Sequence, residues 1–469
     1  MKFNTIYRYC IVFFCIIPLF SKAQFVLKVK ANKVQDSIAY FRASLFDDKN
    51  YIPKDTIKLM STGTSIINTK SIVGGIYFLY FPKTKQNIKF ILEDKDTVLL
   101  VINGTDYVQS TTTNLLKNKR FLAYQQLEKS LSHYDTSFAQ EIKLGKKFSQ
   151  IQKANYFKNK TDSLIAFRKL ALVRTKPNDA LSVYFNTLNA LDASIPNKRD
   201  YNARASFLKK FDLNEPKLFF TPAMKQIVVE YLSFYPLQAD SLTKGLDDVF
   251  KSILCTNKAY PFIFDYFTKV FKNRDVLNNT EGYAYLINKY VKNNTCAFLD
   301  KRNKQLFLDE LTQIEAQKIN DTSLNLILLD SSGIQKDLHQ FAKQFNYTVL
   351  IFFDPNCSHC KVELPKMDSV IKNLEKELLI TIGKFTVCNE PNIDKNTWKS
   401  FLQEHNLNDR YENVMISSNN DNLSIRKAYD AFTNPLFYLI DKDGILIGKK
   451  ISANSLKRIL LKNFSNFKQ

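Results

Sequence analysis

The sequence contains few cysteines and few long apolar runs, and both shortages exclude whole classes of protein. Its 469 residues include seven cysteines, and two of them, Cys10 and Cys15, lie within the first 23 residues. The five cysteines that follow are too sparse for a small scaffold built on disulfides. After residue 23 no apolar run approaches the roughly twenty residues that a membrane helix needs, so we expect a soluble chain.

The first 23 residues have the pattern of a secretory signal peptide. Lys2 and Arg8 give a positively charged start, Cys10–Phe20 is an apolar run, and Ser21-Lys22-Ala23 supplies small residues for cleavage. Cleavage there would start the mature chain at Gln24, and it predicts export to the periplasm or cell envelope. The alternative is a single membrane anchor, which is less favoured because the apolar run is too short to span a bilayer comfortably.

The chain is strongly basic, with a formal net charge of +22 at pH 7. Removal of the signal peptide takes away Lys2, Arg8 and Lys22 and leaves +19. A charge of this size favours anionic surfaces, which allows a weak association with a membrane surface. Export argues against nucleic acid as a partner, and the lysines are scattered rather than clustered. A generally basic, solvated surface is the simpler interpretation.

The periodicity of apolar residues changes twice and divides the chain into three predicted domains. Residues 24–112 contain several short segments with the period of two that is typical of half-buried strands, which predicts an antiparallel β-sandwich. Residues 113–320 place apolar side chains at steps of three and four, which predicts an all-α domain. Residues 321–469 alternate strand and helix patterns and end in a hairpin, which predicts a mixed α/β domain.

A C-x-x-C motif in the last region carries the clearest chemical signal. Cys357 and Cys360 lie directly after the buried strand predicted at Thr348–Phe353 and at the start of a predicted helix. The free N–H groups of a helix N-terminus stabilise an anion, so the Cys357 thiol should ionise readily there. Cys360 lies one helical turn further on, where it could close a disulfide with Cys357.

Two other interpretations of the motif are weaker than redox chemistry. A zinc ribbon needs a second pair of ligands at a suitable spacing, and the sequence has none. A structural disulfide between Cys357 and Cys360 would close a loop too small to stabilise the fold much.

The motif and its surroundings resemble thioredoxin, and more narrowly the exported TlpA/ResA-like thiol–disulfide oxidoreductases. The resemblance covers about 150 residues, from Leu324 to the C-terminus. Pro365 matches the helix-kinking proline of that family, and Asn434-Pro435 matches its cis-proline loop. Two positions depart from the family pattern, because Asn356 replaces the usual Trp and Asn434 the usual Thr. The order of sandwich, helices and thioredoxin-like domain also resembles multidomain envelope proteins whose first two domains have no assigned function.

The resemblance implies roles for further residues of the site. Glu363 matches an active-site glutamate that could accept or relay the proton of Cys360, although an ordinary exposed helix glutamate is the alternative. His359 occupies the position of a histidine that stabilises the attacking thiolate in an oxidising relative, and the alternative is again an exposed side chain. Asn434 and Pro435 would hold the substrate backbone, with Pro435 cis and beside Cys357.

The other cysteines of the mature chain are expected to be less important. Cys388 ends a predicted strand and is expected to be a buried inert thiol, with a third redox cysteine as the alternative. Cys255 and Cys296 lie in helical segments and could pair in an oxidising compartment.

The sequence therefore predicts an exported enzyme that exchanges disulfides with client proteins of the cell envelope. The resemblance implies a second, membrane-bound redox protein as its electron partner, and no cofactor or metal is expected. The direction of transfer stays open, because Glu363 suggests a reductase and His359 an oxidant. The alternative class is a non-catalytic binding or scaffold protein in which the first 320 residues carry the function.

Overall fold

The computed structural model describes residues 25–47, 50–60, 63–69, 72–143, 149–193, 201–293, 296–390, 393–405, 407, 411–416 and 421–466. The predicted signal peptide and its cleavage site at Gln24 lie outside these residues. In the described part of the chain, no helix combines the length and hydropathy of a membrane span. The chain forms two compact units, Met1–Asp192 with Pro216–Ala223, and Ala193–Glu215 with Met224–Gln469.

The first unit is built on two four-stranded sheets. The strands are β1 (Phe25–Ala31), β2 (Ile38–Leu45), β3 (Asn50–Lys58), β4 (Ser65–Thr69), β5 (Gly75–Phe81), β6 (Gln86–Leu92), β7 (Thr97–Ile102) and β8 (Thr111–Thr113). One sheet has the order β4-β1-β7-β8 and the other has the order β3-β2-β5-β6. The expected alternation is present in β1, whose residues Phe25, Leu27, Val29 and Ala31 are buried.

The prediction of a wholly antiparallel sandwich is wrong at one strand pair. β1 and β7 run parallel, with Val26 opposite Thr97 and Ala31 opposite Ile102. A hairpin forces antiparallel pairing only on strands that follow each other directly, whereas the chain between β1 and β7 passes through the second sheet. The remaining pairs in the two sheets are antiparallel.

In the described part of the chain, ten α-helices follow the strands of the first unit. They are α1 (Leu116–Lys143), α2 (Gln150–Leu172), α3 (Ala180–Asp192), α4 (Tyr201–Phe207), α5 (Pro216–Phe219), α6 (Ala223–Leu232), α7 (Ala239–Lys251), α8 (Tyr260–Lys272), α9 (Asn279–Ile287) and α10 (Lys301–Glu315). The compact units divide these helices instead of setting them apart as one domain, because α1–α3 group with the sheets and α7–α10 with the C-terminal region. The three-domain division at residues 113 and 321 therefore stays a prediction.

The C-terminal region is built on a seven-stranded sheet and has the mixed α/β pattern expected of a thioredoxin-like region. Its elements are β9 (Ile327–Leu329), β10 (Gln335–Asp337), α11 (Leu338–Ala342), β11 (Tyr347–Phe353), α12 (Ser358–Leu378), β12 (Ile382–Cys388), α13 (Lys395–Glu404), β13 (Tyr411–Met415), α14 (Asp421–Ala428), β14 (Leu436–Asp441), β15 (Leu446–Gly448) and α15 (Ala453–Asn466). The sheet order is β10-β9-β13-β12-β11-β14-β15. β11, β12 and β13 are parallel, and β14 and β15 form the predicted antiparallel hairpin.

The loop between α8 and α9 fastens the last helices of the middle region to the thioredoxin-like region. Leu277 of this loop is 7% exposed and belongs to the same apolar core as Ile371 and Trp398. Beside it, the Arg458 guanidinium of α15 donates to the Asp275 carbonyl oxygen at 2.8 Å. The loop thus combines a buried apolar anchor with polar contacts to its surroundings.

We predict that Leu277→Ala lowers the free energy of unfolding of the second unit by about 2–4 kcal/mol, because it leaves a cavity in the core. Trp398, the only tryptophan, is buried in that core, so its fluorescence during urea unfolding measures the change. Leu306→Ala is the matched control, because Leu306 is 53% exposed on α10 and its loss should cost less than about 0.5 kcal/mol. Equal losses from both variants would contradict the anchor.

Candidate active site

The turn between β11 and α12 places Cys357 at the N-terminus of a long helix. The buried strand β11 ends at Phe353, and the Cys357 N–H donates to the Asp354 carbonyl oxygen at 3.1 Å. The Asp354 carboxylate accepts from the Asn356 N–H at 2.8 Å and holds the turn closed. Cys357 is the N-cap residue of the 21-residue helix α12, so its thiol lies where the helix dipole favours a negative charge.

The two cysteines of the motif differ sharply in exposure. Cys357 is half-buried, whereas Cys360 is completely buried. Burial raises the pKa of the Cys360 thiol far above its ordinary value, and its hydrogen bond with Cys357 acts in the same direction. The accessible thiol is therefore Cys357. Cys360 remains protonated unless a neighbouring group takes its proton or stabilises its thiolate.

The loop before β14 brings a distant part of the chain to Cys357. The Asn434–Pro435 peptide bond is cis, as expected. The Cys357 thiol donates to the Asn434 carbonyl oxygen, with 3.6 Å between sulfur and oxygen. The two sequence-predicted substrate-binding residues thus lie beside the thiol, although 77 positions separate Cys357 from Asn434.

A buried asparagine that the sequence did not single out forms hydrogen bonds to this loop. Asn389 follows β12 and is completely buried. Its side-chain amide donates to the Ala431 carbonyl oxygen at 2.6 Å and to the Asn434 side-chain oxygen at 3.2 Å. Arg426 donates to the Asn389 side-chain oxygen at 3.0 Å. The Asn434 side chain therefore has a structural partner that fixes its position.

Arg274, from the loop between α8 and α9, is the second residue that sequence reasoning missed. Its guanidinium donates to the Pro435 carbonyl oxygen at 2.7 Å. Burial lowers the pKa of Arg274, while Tyr438, Glu363 and Cys360 lie close enough to raise it. Because an arginine stays protonated in proteins, it supplies a fixed positive charge near Cys360. A local motif could not have indicated it, because it lies 161 residues before Pro435.

Glu363 lies near this charge, whereas His359 is exposed. The Glu363 carboxylate lies 3.6 Å from the Lys366 ammonium group, with its side chain 34% exposed. The charge of Glu363 and the charge of the Cys360 thiolate both raise the pKa of Arg274. Arg274 therefore interacts electrostatically with both groups. His359 is exposed on the first turn of α12, and within the described ranges no hydrogen bond joins its imidazole to either cysteine.

The remaining cysteines lie outside this cluster. Cys388 is completely buried at the end of β12, and burial raises its pKa to about 12. Cys255 is exposed and Cys296 is half-buried, and no disulfide joins them in the described part of the chain. An unreactive Cys388 fits the simpler of the two sequence interpretations.

Comparisons with solved structures return thioredoxin-like proteins. They include a domain of a possible thiol-disulfide isomerase from Cytophaga hutchinsonii, at 24% identity over 32% of this chain and 96% of that chain, with a TM-score of 0.27. A thioredoxin-like protein from Bacteroides caccae aligns at 15% identity over 62% of this chain and 95% of its own, with a TM-score of 0.39.

A thiol:disulfide interchange protein from Bacteroides sp. aligns at 17% identity over 31% of this chain and 90% of that chain, with a TM-score of 0.26. No protein-family model matches the sequence, and no curated protein matches it. Scores of this size do not transfer an activity, so the chemistry must follow from the site itself.

We predict that iodoacetamide modifies Cys357 roughly tenfold or more faster than Cys360 in the reduced protein, because only Cys357 is accessible at a helix N-terminus. Peptide mapping of samples quenched at successive times measures both rates. Cys388 is the matched control, since it is as buried as Cys360 and should react as slowly. If Cys360 is labelled as fast as Cys357, the observed asymmetry does not govern reactivity.

We also predict that neutralising Arg274 and neutralising Glu363 move the pKa of Cys360 in opposite directions. Arg274→Gln removes a positive charge that favours the thiolate, so the pKa should rise. Glu363→Gln removes a negative charge, so the pKa should fall. The pH dependence of Cys360 alkylation in a Cys357→Ser background measures both shifts. Lys366→Gln, which changes only the exposed partner of Glu363, should shift the pKa less.

Shifts of the same sign in the Arg274 and Glu363 variants would mean that the changes act through altered packing and not through charge.

Proposed function

We propose that this protein is an exported thiol–disulfide oxidoreductase that exchanges disulfides with client proteins of the cell envelope. The observation that carries the proposal is the pairing of a half-buried thiol at a helix N-terminus with a buried thiol one turn away. The cis-proline loop in contact with the first thiol supports it. The alternative of a non-catalytic scaffold is not favoured, because it does not explain why the two thiols and the cis-proline loop lie together.

In the proposed cycle, the Cys357 thiolate attacks one sulfur of a client disulfide. A bond forms between Cys357 Sγ and that sulfur, and the other client sulfur leaves with the electron pair and takes up a proton. Cys360 then loses its proton and attacks Cys357 Sγ, which forms the Cys357–Cys360 disulfide and releases the reduced client. A dithiol of a redox partner, proposed to be membrane-bound, reduces this disulfide by the same two exchanges. The steps run in reverse when a client is oxidised.

The second attack is the demanding step, because the pKa of the buried Cys360 thiol is raised. We propose that Glu363 takes part in its deprotonation, with Arg274 as the charge that stabilises the resulting thiolate. We propose that Asn434 and Pro435 hold the client backbone beside Cys357, and that His359 modulates the thiolate from the exposed face of α12.

We predict that Cys360→Ser accumulates mixed disulfides with envelope proteins, because Cys357 can still attack while the resolving thiol is missing. The variant is expressed with its own N-terminus, and adducts are separated on non-reducing gels and identified after reduction. Cys357→Ser/Cys360→Ser should trap nothing through the motif. Cys388→Ser is the matched control, because it removes a buried cysteine outside the motif and should leave turnover unchanged.

Equal adduct formation by the single and the double variant would contradict the proposed nucleophile. Function that survives the loss of both cysteines would favour the scaffold alternative.

A further inference from the structure

A cleft of about 340 Å³ opens beside the cis-proline loop. One wall is formed by α8, α9, α10 and Arg274, and the other by Asp430, Lys450 and the residues that flank Asn434 and Pro435, namely Thr433 and Leu436. The cleft is therefore lined by residues of the same loop whose Asn434 carbonyl oxygen accepts from the Cys357 thiol.

Four of the five charged side chains that line the cleft pair with one another. The Lys272 ammonium group lies 3.1 Å from the Glu310 carboxylate, which also accepts from the Tyr283 hydroxyl group. Lys450 pairs with Asp430. Arg274 uses one N–H on the Pro435 carbonyl oxygen. The charges of the lining therefore balance except for the single positive charge of Arg274.

Two side-chain amides on the helical wall lack such partners. Asn279, at the start of α9, is 4% exposed, and Gln313 on α10 is half-buried. Both line the cleft, and neither amide has a hydrogen-bond partner among the residues that the structure describes. Neither amide is therefore already used within the described part of the protein, so both are available to a ligand in the cleft. Each amide offers one acceptor oxygen and donor hydrogens, which is the complement of a peptide group.

We propose that this cleft binds the main chain of the client polypeptide next to its reactive cysteine, with Asn279 and Gln313 hydrogen-bonded to client peptide groups. The proposal rests on the proposed function and deepens it. In this proposal, the helices α8–α10 hold unstructured or extended polypeptide against the thiol site. Recognition by main-chain hydrogen bonds accepts many sequences, as in other proteins that bind extended peptides.

The test compares a peptide disulfide with a minimal disulfide on the same thiol. The first substrate is a ten-residue neutral peptide with a central cysteine in mixed disulfide with thionitrobenzoate, and the second is N-acetylcysteine amide with the same leaving group. In full-length Cys255→Ser/Cys296→Ser/Cys360→Ser protein, which also lacks the accessible thiols outside the motif, Cys357 attacks the substrate cysteine sulfur and expels coloured thionitrobenzoate, which reports one step. The readout is the ratio of the peptide rate to the minimal-substrate rate.

Asn279→Leu/Gln313→Leu should lower this ratio on the order of tenfold, because two hydrogen bonds to the peptide are lost. Gln305→Leu is the matched control, because Gln305 lies on the same helix with its amide on Asp309 at 2.8 Å, and the ratio should not change. If the double variant does not fold, Gln313→Leu alone is tested instead. Gln313 is half-buried, so this single change should leave the fold intact, and the ratio should still fall.

An unchanged ratio in the Asn279 and Gln313 variants overturns the cleft proposal, and so does an equal fall in the control. A protein without these changes that reacts with neither substrate overturns the proposed function instead. The two failures are therefore distinguishable.

Discussion

Two neighbouring carbonyl groups, those of Asn434 and Pro435, are the point on which the arrangement of the site depends. The first accepts from the Cys357 thiol, and the second accepts from the Arg274 guanidinium. Asn389 holds the Asn434 side chain from within the thioredoxin-like region. The loop is thus fixed from the helix that carries the cysteines, from the sheet and from the preceding helices.

The burial of Cys360 explains why these supports also matter for chemistry. A thiol that is completely buried strongly resists ionisation, yet exchange requires it as a thiolate. Arg274 interacts electrostatically with Cys360, and in the proposed cycle its fixed charge favours the ionised thiol. Arg274 belongs to the loop that also inserts Leu277 into the core. The same loop therefore anchors the helices and brings a positive charge to the Cys360 thiol.

Sequence reasoning predicted the parts of the site that local patterns encode. The buried strand β11, the helix that begins after Cys357 and the hairpin near the C-terminus follow from short-range periodicity and turn residues. The cis bond before Pro435 came from the family resemblance and is present. Asn389 and Arg274 could not be found in this way, because their contacts join residues 45 and 161 positions apart. The parallel pairing of β1 with β7 escaped prediction for the same reason.

The reduction potential of the Cys357–Cys360 pair tests the central claim most directly. Full-length protein is equilibrated with glutathione buffers of known ratio, quenched with acid, and analysed for the disulfide by mass spectrometry of its peptides. The account predicts reversible formation of this one disulfide, with a potential between about −270 and −120 mV, where exchange proteins operate. A pair that does not close, or one that stays oxidised below about −300 mV as structural disulfides do, would contradict it.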